Sequence, residues 1–430
     1  MAGSDNRRNV LIQAYGCAMN QGEAALAASI IRSRGYVVVS SGEMADDVII
    51  FTCDVIEATE NRMWKRIGSA HSSGKRVFVA GCLAAISGDE VRRRYPGAEP
   101  LDTMGIGPLR ASVERSFPPI GPGSGQEPIG GRVHHIVPIS TGCLGSCTYC
   151  ITRIARGAIQ SNPPGLIVDE IRRGTLQGRK EVLLTSQDSA AYGLDGIGTE
   201  LPKLLDMVSR EVEGDHMVRV GMMNPENVLP RLKGILDSFS SERIFKFFHI
   251  PLQSGSDRIL ASMGRGYSAS DFFRISDAIR ERYPDATIST DMIVGFPGED
   301  EDDHKANMNA IEMLRPDILN VTRFSPRPGT PAGAMKGRIV QRVVKERSRE
   351  MVSAHSAMLT EILQDRIAVT STCLVTEMGK KGTMMGRDIN YTPIVVEGGP
   401  ELLGDWAVVE RTGAGPTYIL GRIISRDGQV

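Results

Sequence analysis

Two absences bound this chain before any motif does. Its 430 residues hold no run of about 18 apolar residues that would span a bilayer, and the opening Met-Ala-Gly-Ser-Asp-Asn-Arg-Arg lacks the apolar core of a signal peptide. The expectation is a cytoplasmic protein without a membrane partner, in a compartment where thiols stay reduced and serve metals or catalysis. An excess of one charge is also missing, since 50 Lys and Arg meet 51 Asp and Glu. No global field draws nucleic acid in, so RNA contact has to use local patches. Aromatic residues are scarce at 5%, which argues against a surface built from stacking platforms. The 41% of hydrophobic residues is ample for normal cores, and the length calls for two or three domains.

Cysteine is scarce too, but its seven copies are not scattered. The stretch Gly142-Cys143-Leu144-Gly145-Ser146-Cys147-Thr148-Tyr149-Cys150 puts three thiolates on one tight loop. A structural zinc ion asks for a fourth protein ligand and an ordinary 4Fe-4S cluster for four cysteines. Three suggest a cluster with one iron left open to bind and reduce a small molecule. A zinc site completed by His134 or His135, just upstream, is the alternative.

Three further cysteines close three similar units. Short apolar runs end at Cys17 (residues 8–17), Cys53 (47–53) and Cys82 (76–82), each followed by a helical pattern, near 23–34, 57–70 and 89–94. Alternating runs of this kind predict a parallel sheet in an α/β domain, with ligands beyond the carboxyl ends of its strands. Singly, each cysteine reads as a small buried hydrophobe. Their shared position at a strand end argues instead for a second three-cysteine site, with Cys373 left over as structural. Residues 118–132 are nearly all turn formers and read as a linker.

From residue 133 a second α/β series begins, with strands expected at 133–140, 181–186, 217–222, 246–252, 286–294 and 317–324 and helices at 166–176, 201–212, 270–282 and 303–314. Six such units match a partial (β/α)6 barrel, with function at the carboxyl-end loops. The Cys143 loop follows the first strand. Residues 185–193 and 291–299 offer polar groups and small residues at later strand ends, and the acidic run 299–303 reads as a helix N-terminus. Arg153 and Arg156 place positive charge beside the loop, for a ligand carboxylate or for a salt bridge at the barrel rim. Residues 338–366 read as one long helix. Its cations Lys336, Arg338, Arg342, Lys345, Arg347 and Arg349 can meet phosphates or simply solvent. Short β-prone runs at 371–376, 383–386, 393–396, 406–410 and 417–424 predict a small antiparallel barrel. From 371 to 430 there are six Lys or Arg against seven Asp or Glu, so only Lys380-Lys381 stands out as a patch.

These motifs carry a resemblance. The Cys143 loop resembles the cluster signature of radical S-adenosylmethionine (SAM) enzymes. Tyr15-Gly16-Cys17-Ala18-Met19-Asn20, Thr52-Cys53-Asp54-Val55 and Gly81-Cys82-Leu83 resemble the three cysteine motifs of the methylthiotransferases, with Gly22-Glu23 and Ala84-Ala85 as departures that remove no ligand. Pro251-Leu252-Gln253-Ser254-Gly255-Ser256-Asp257 and the stretch from Phe324 to Ala332 are similar to further motifs of that family. The resemblance implies an N-terminal auxiliary-cluster domain over 1–117, a radical SAM core over 133–366 and a TRAM-like RNA-binding domain over 367–430. It also implies two 4Fe-4S clusters, on Cys17, Cys53 and Cys82 and on Cys143, Cys147 and Cys150. SAM contacts fall to Gln187, Asp188, Arg156, Asp291 and Gly295, and no catalytic residue beyond the cluster ligands is implied. Arg156-Gly157, Gly221-Met222-Met223-Asn224-Pro225 and Ser325-Pro326-Arg327-Pro328-Gly329 look most like the archaeal and eukaryotic branch. That branch adds a methylthio group to carbon 2 of N6-threonylcarbamoyladenosine at position 37 of tRNA. Implied partners are tRNA, a flavodoxin- or ferredoxin-like electron donor and a sulfur donor. The rivals are methylthiolation of isopentenyladenosine in tRNA or of a ribosomal-protein aspartate, and a zinc-containing RNA-binding module without catalysis.

Overall fold

The structure is a computed structural model that describes residues 8–55, 57–103, 105–121, 133–367 and 369–426. Strands β1 (Asn9–Ala14), β2 (Val37–Val39), β3 (Asp47–Thr52), β4 (Arg76–Gly81) and β5 (Glu99–Pro100) form one parallel sheet in the order β2-β1-β3-β4-β5. The run Val48-Ile49-Ile50-Phe51 lacks polar alternation because β3 is central and covered on both sides. Ile49 and Phe51 face α1 (Ala18–Ser33) and α4 (Ile106–Ser116). Val48 and Ile50 face α2 (Glu57–Ser72) and α3 (Cys82–Arg94). Asp47, which opens β3, is fully buried between Arg8 and Arg76, each donating twice to its carboxylate. Residues 118–121 of the expected linker are docked on this domain: Tyr36 Oη donates to the Pro118 carbonyl and the Ile120 amide to that of Arg34. The rest of that stretch, 122–132, lies outside the described residues.

The central part is a curved wall of six parallel strands. It is built from β6 (His134–Pro138), a short pair of β7 (Ser140–Thr141) with β8 (Gln160–Ser161), β9 (Glu181–Thr185), β10 (Met217–Val220), β11 (Phe247–His249), β12 (Thr287–Val294) and β13 (Ile318–Arg323). Two three-stranded sheets, β10-β9-β6 and β11-β12-β13, meet through a parallel bridge between Val218 and Ile244. Outside the wall run α5 (Ile151–Arg156), α6 (Pro164–Leu176), α7 (Leu201–Glu211), α8 (Pro225–Val228), α9 (Leu232–Ser238), α10 (Asp257–Ser262), α11 (Ala269–Arg282), α12 (Glu301–Leu314), α13 (Pro331–Ala334) and the long α14 (Gln341–Gln364). Strand alternation sends Val182, Leu184, Val218, Val220, Ile288 and Met292 into the core under the helices and turns Glu181, Arg219, His249 and Asp291 inward. The acidic run behaves as expected. Asp300 caps α12, and Asp303 closes a capping box with it.

The last five strands, β14 (Thr370–Met378), β15 (Thr383–Asp388), β16 (Pro393–Glu397), β17 (Trp406–Ala414) and β18 (Ile419–Arg426), close in the order β14-β15-β16-β18-β17. The small antiparallel barrel expected from the sequence is present, with a single parallel step where β16 meets β18. That step arises because β17 lies between them in the chain but on the far side of β18. Cys373 packs in this core, as its structural reading required. The small barrel stoppers the floor of the large one. Tyr391 Oη donates to Glu181 (2.6 Å), Arg219 donates to Tyr391 (3.0 Å), and Tyr391 packs against Phe245 and Phe247.

Candidate active site

The first cysteine set is held by its neighbours on every side. Gly142 has a φ of +74°, and a Cβ there would lie 2.0 Å from the Ala158 carbonyl oxygen, so no side chain fits the turn that opens the loop. Arg153 donates to the Cys143 carbonyl (2.9 Å). The Thr148 amide and hydroxyl donate to the carbonyls of Met263 and Ser262, and the Ala332 amide donates to that of Thr148. Tyr149 meets Phe296 edge-on at 6.4 Å. Cys150 is the N-cap of α5, and burial holds its thiol above the ordinary range. Sulfur accepts from the Gly145 amide at Cys143 Sγ (3.2 Å) and from Arg265 at Cys147 Sγ (3.1 Å).

The second set is assembled by the sheet. Cys17 is the N-cap of α1, Cys53 directly follows β3, and Cys82 is the first residue of α3. They stand at the carboxyl ends of the adjacent strands β1, β3 and β4. Asn20 ties the first two loops together by donating to the carbonyls of Tyr15 (2.6 Å) and Thr52 (2.9 Å). A Cβ on Gly16 would lie 2.5 Å from Cys53 Cβ, and one on Gly81 would lie 2.4 Å from the Thr52 carbonyl oxygen. Close approach between the motifs therefore requires both glycines.

Two buried arginines join this centre to the barrel mouth. Arg156, at the end of α5, is fully buried. It pairs through both terminal nitrogens with Glu23, donates to Asn20 Oδ1 (3.1 Å) and the Thr103 carbonyl (2.7 Å), and its charge stands close to the Cys82 thiol. Arg327, from the loop after β13, donates to Asp54 (2.6 Å) and Glu60 (2.8 Å), beside Cys53. Both arms leave the carboxyl-end side of the barrel, so the second set sits over its mouth.

All seven cysteines are free thiols. Burial pushes Cys82 up to about 12 and Cys143 up to about 11, and the neighbouring cysteines of each set add to the rise of these two thiols. Bare, these sulfurs keep their protons; bound to a metal they lose them. The residues fit 4Fe-4S clusters. Each set offers three thiols and no disulfide, and Gly145 lies beside the Cys143 and Cys147 sulfurs, where a Cβ would make ordinary contacts of 3.4 and 3.7 Å. Arg156 Nε and Arg327 Nε are buried donors without a protein partner. The histidines of the zinc alternative are engaged elsewhere. His134 lies 3.1 Å from Glu181, and His135 lies 3.0 Å from the Glu170 carbonyl, both at the start of β6, at the opposite end from the cysteine loop. Among the described residues no three His, Cys, Asp or Glu are gathered as one metal ion would need.

The other expected ligand contacts divide. Arg156 is the clear correction: its guanidinium is consumed by Glu23 and the second cysteine set rather than free for a ligand carboxylate. Asp188 is buried and accepts from the amides of Ala190 and Asn224 and from Asn227 Nδ2, so it braces the loop after β9. Gly295 (φ +80°) is pressed by Val344 of α14, where a Cβ would lie 2.6 Å from its methyl. Gln187 Oε1 is buried without a partner. Asp291 points into the barrel between His249 Nε2 (2.8 Å) and Asn320 Nδ2 (2.8 Å). Sequence reading missed Arg265, which gives no motif signal, and the strain at Gln253. Gln253 carries a φ of +69° while bonded to both sides of Met292 on β12, a conformation worth about 1–3 kcal/mol and typical of functional sites. Among the helix cations Arg347 is buried against Glu299 (2.7 Å), whereas Lys345 and Arg349 face outward.

A six-strand parallel barrel with a three-cysteine loop after its first strand, and a second three-cysteine centre over its mouth, defines a radical SAM enzyme with an auxiliary cluster. Family profiles agree: "Radical SAM superfamily" matches residues 137–311, "Uncharacterized protein family UPF0004" residues 9–101 and "TRAM domain" residues 370–424. The chain is 36% identical to the probable threonylcarbamoyladenosine tRNA methylthiotransferase of Pyrococcus abyssi, over 97% of this chain and 99% of the relative. It is 33% identical to the threonylcarbamoyladenosine tRNA methylthiotransferase of Drosophila melanogaster, over 97% and 78%. The chain belongs to this family of threonylcarbamoyladenosine tRNA methylthiotransferases. In fold it is similar to the radical SAM methyltransferase TsrM from Kitasatospora setae, solved with tryptophan and a SAM analog (TM-score 0.57, 14% identity, 82% of this chain and 89% of that one).

Proposed function

We propose that this enzyme adds a methylthio group to carbon 2 of N6-threonylcarbamoyladenosine at position 37 of tRNA, acting in the cytoplasm. The observation that carries the reading is the pair of three-cysteine centres at one barrel mouth, within a chain similar to such enzymes over nearly its whole length. Carbon 2 bears an unactivated C–H bond that no side-chain base removes at neutral pH. When bound, the clusters and SAM supply the one-electron and sulfur chemistry that the chain lacks.

The chain's own part is placement. Arg265 and the Gly145 amide donate to the sulfurs of Cys147 and Cys143, and such donors raise a cluster's potential. Gln187 offers a buried acceptor at the mouth, and Asp291 orients His249 toward the lumen. These two residues, with Gly295 at the rim, are the proposed SAM-facing positions. Tyr391 shuts the opposite end, keeping water from the floor. Residues 1–117, 133–366 and 367–430 are read as the auxiliary-cluster, radical SAM and RNA-binding parts. The electron donor, flavodoxin- or ferredoxin-like, and the sulfur donor are separate partners.

The test is anaerobic reconstitution with iron and sulfide, incubation with tRNA, SAM and reductant, and mass analysis of the nucleosides. The expected product is the methylthio derivative of threonylcarbamoyladenosine. Product on isopentenyladenosine, or on a ribosomal-protein aspartate, would overturn the substrate assignment.

A further inference from the structure

The two cysteine centres share one structural member. Helix α5 has Cys150 of the first set as its N-cap and ends at Arg156, which meets Cys82 of the second. Six residues at 1.5 Å each make this a rod of about 9 Å. At its far end the guanidinium is not a generic interdomain salt bridge. It pairs with the carboxylate of Glu23 and donates to Oδ1 of Asn20, the residue that binds the Cys17 and Cys53 loops together, and its charge stands close to the thiol of Cys82, one proposed ligand. Its Nε–H remains buried with no acceptor from the protein.

We propose that Arg156 is a positioning residue that holds the auxiliary cluster against α5 and sets its reduction potential, with Glu23 as the counter-charge that limits the effect. A cation beside a cluster ligand stabilises the more negative, reduced state, and a carboxylate paired with that cation opposes it. The two residues therefore pull the potential in opposite directions. The radical cluster has its own arginine, Arg265, and the local pair at Arg156 leaves it nearly untouched.

The inference rests on a cluster bound by Cys17, Cys53 and Cys82. The experiment uses the full chain with Cys143, Cys147 and Cys150 replaced by Ala, reconstituted anaerobically, so that one cluster remains and a redox titration followed by electron paramagnetic resonance reads it alone. Arg156→Gln is expected to shift the midpoint to more negative potential and Glu23→Gln to more positive. The double substitution, which leaves no buried charge unpaired, is expected to lie between them, and it keeps the test available where a single change prevents folding. Arg156→Lys, which retains the charge but loses the planar fork, should recover most of the potential. Shifts of the same sign in the two single variants, or an Arg156→Gln midpoint equal to that of the Arg156-intact chain, would refute the role of Arg156, and where Arg156→Gln does not fold a positive shift in Arg156→Lys would do so. Failure of the Arg156-intact chain to bind a cluster at all would instead refute the reading of the site.

Discussion

The two three-cysteine centres solve one chemical problem by different structural routes. Cys143, Cys147 and Cys150 lie within eight consecutive residues, and their loop is half-buried and clamped by α10 and α13. Cys17, Cys53 and Cys82 come from three strands, and two of them are buried while Cys17 is exposed. A loop can be shaped by its own turns. A centre gathered from strand ends exists only after the sheet has formed, so its integrity depends on the fold around it.

The sharpest way to break the comparison is chemical. Cys147→Ala should abolish SAM cleavage, whereas Cys53→Ala should leave cleavage intact and stop methylthio transfer; chromatography of both products from one reaction reads this. Equal loss of both activities would mean that the centres do not divide the work. A second contrast uses the glycines. Gly142→Ala and Gly81→Ala each force a side chain into a positive-φ position against a carbonyl oxygen, at a cost of about 1–3 kcal/mol or more. Each should reduce iron from about eight to about four per chain, and electron paramagnetic resonance should show a different cluster missing in each.

Acid should separate the two regions more gently. Burial first, and Arg173 second, depress His135, at the start of β6 in the central barrel, from 6.5 to about 4. Its contribution to stability is thus complete above pH 6.5 and is lost as pH falls toward 4, by roughly 3 kcal/mol. In the N-terminal sheet burial raises the Asp47 pKa, but hydrogen bonds from Arg76 and Arg8 outweigh it and the net shift is downward. Its contribution persists until pH drops below the ordinary carboxylate range. Urea melts of the apoprotein between pH 7 and 3.5 should show the barrel weakening first, and His135→Gln should flatten the upper part of that curve. The smallest effect is expected at the floor. Tyr391→Phe removes the hydroxyl shared by Glu181 and Arg219 and should lower stability by about 1–2 kcal/mol, with both clusters retained.

The radical loop was legible because its information is local: spacing, Gly142 and the preceding strand all lie within a few residues. The second centre was legible through repetition, as three apolar runs each closed on a cysteine. What escaped was pairing at a distance. Arg156 meets Glu23 across 133 positions and Arg327 meets Asp54 across 273, and nothing in either neighbourhood marks the partner. Arg156 was therefore assigned to a ligand carboxylate when a protein carboxylate already held it. Short elements such as β2, β5, α8 and α10 also left no periodic trace, and the parallel step from β16 to β18 depends on barrel closure rather than on any run of residues.

Helix α14 begins where Val344 presses on Gly295 at the barrel mouth, passes Met351 and Met358 in the barrel core, and ends with Leu359 and Leu363 inside the small C-terminal barrel. Its 24 residues make a ruler of about 36 Å. An inserted or deleted turn would slide Tyr391 off its seat by about 5 Å, so the length of this one helix fixes how far the small barrel stands from the mouth where Gly295 lies.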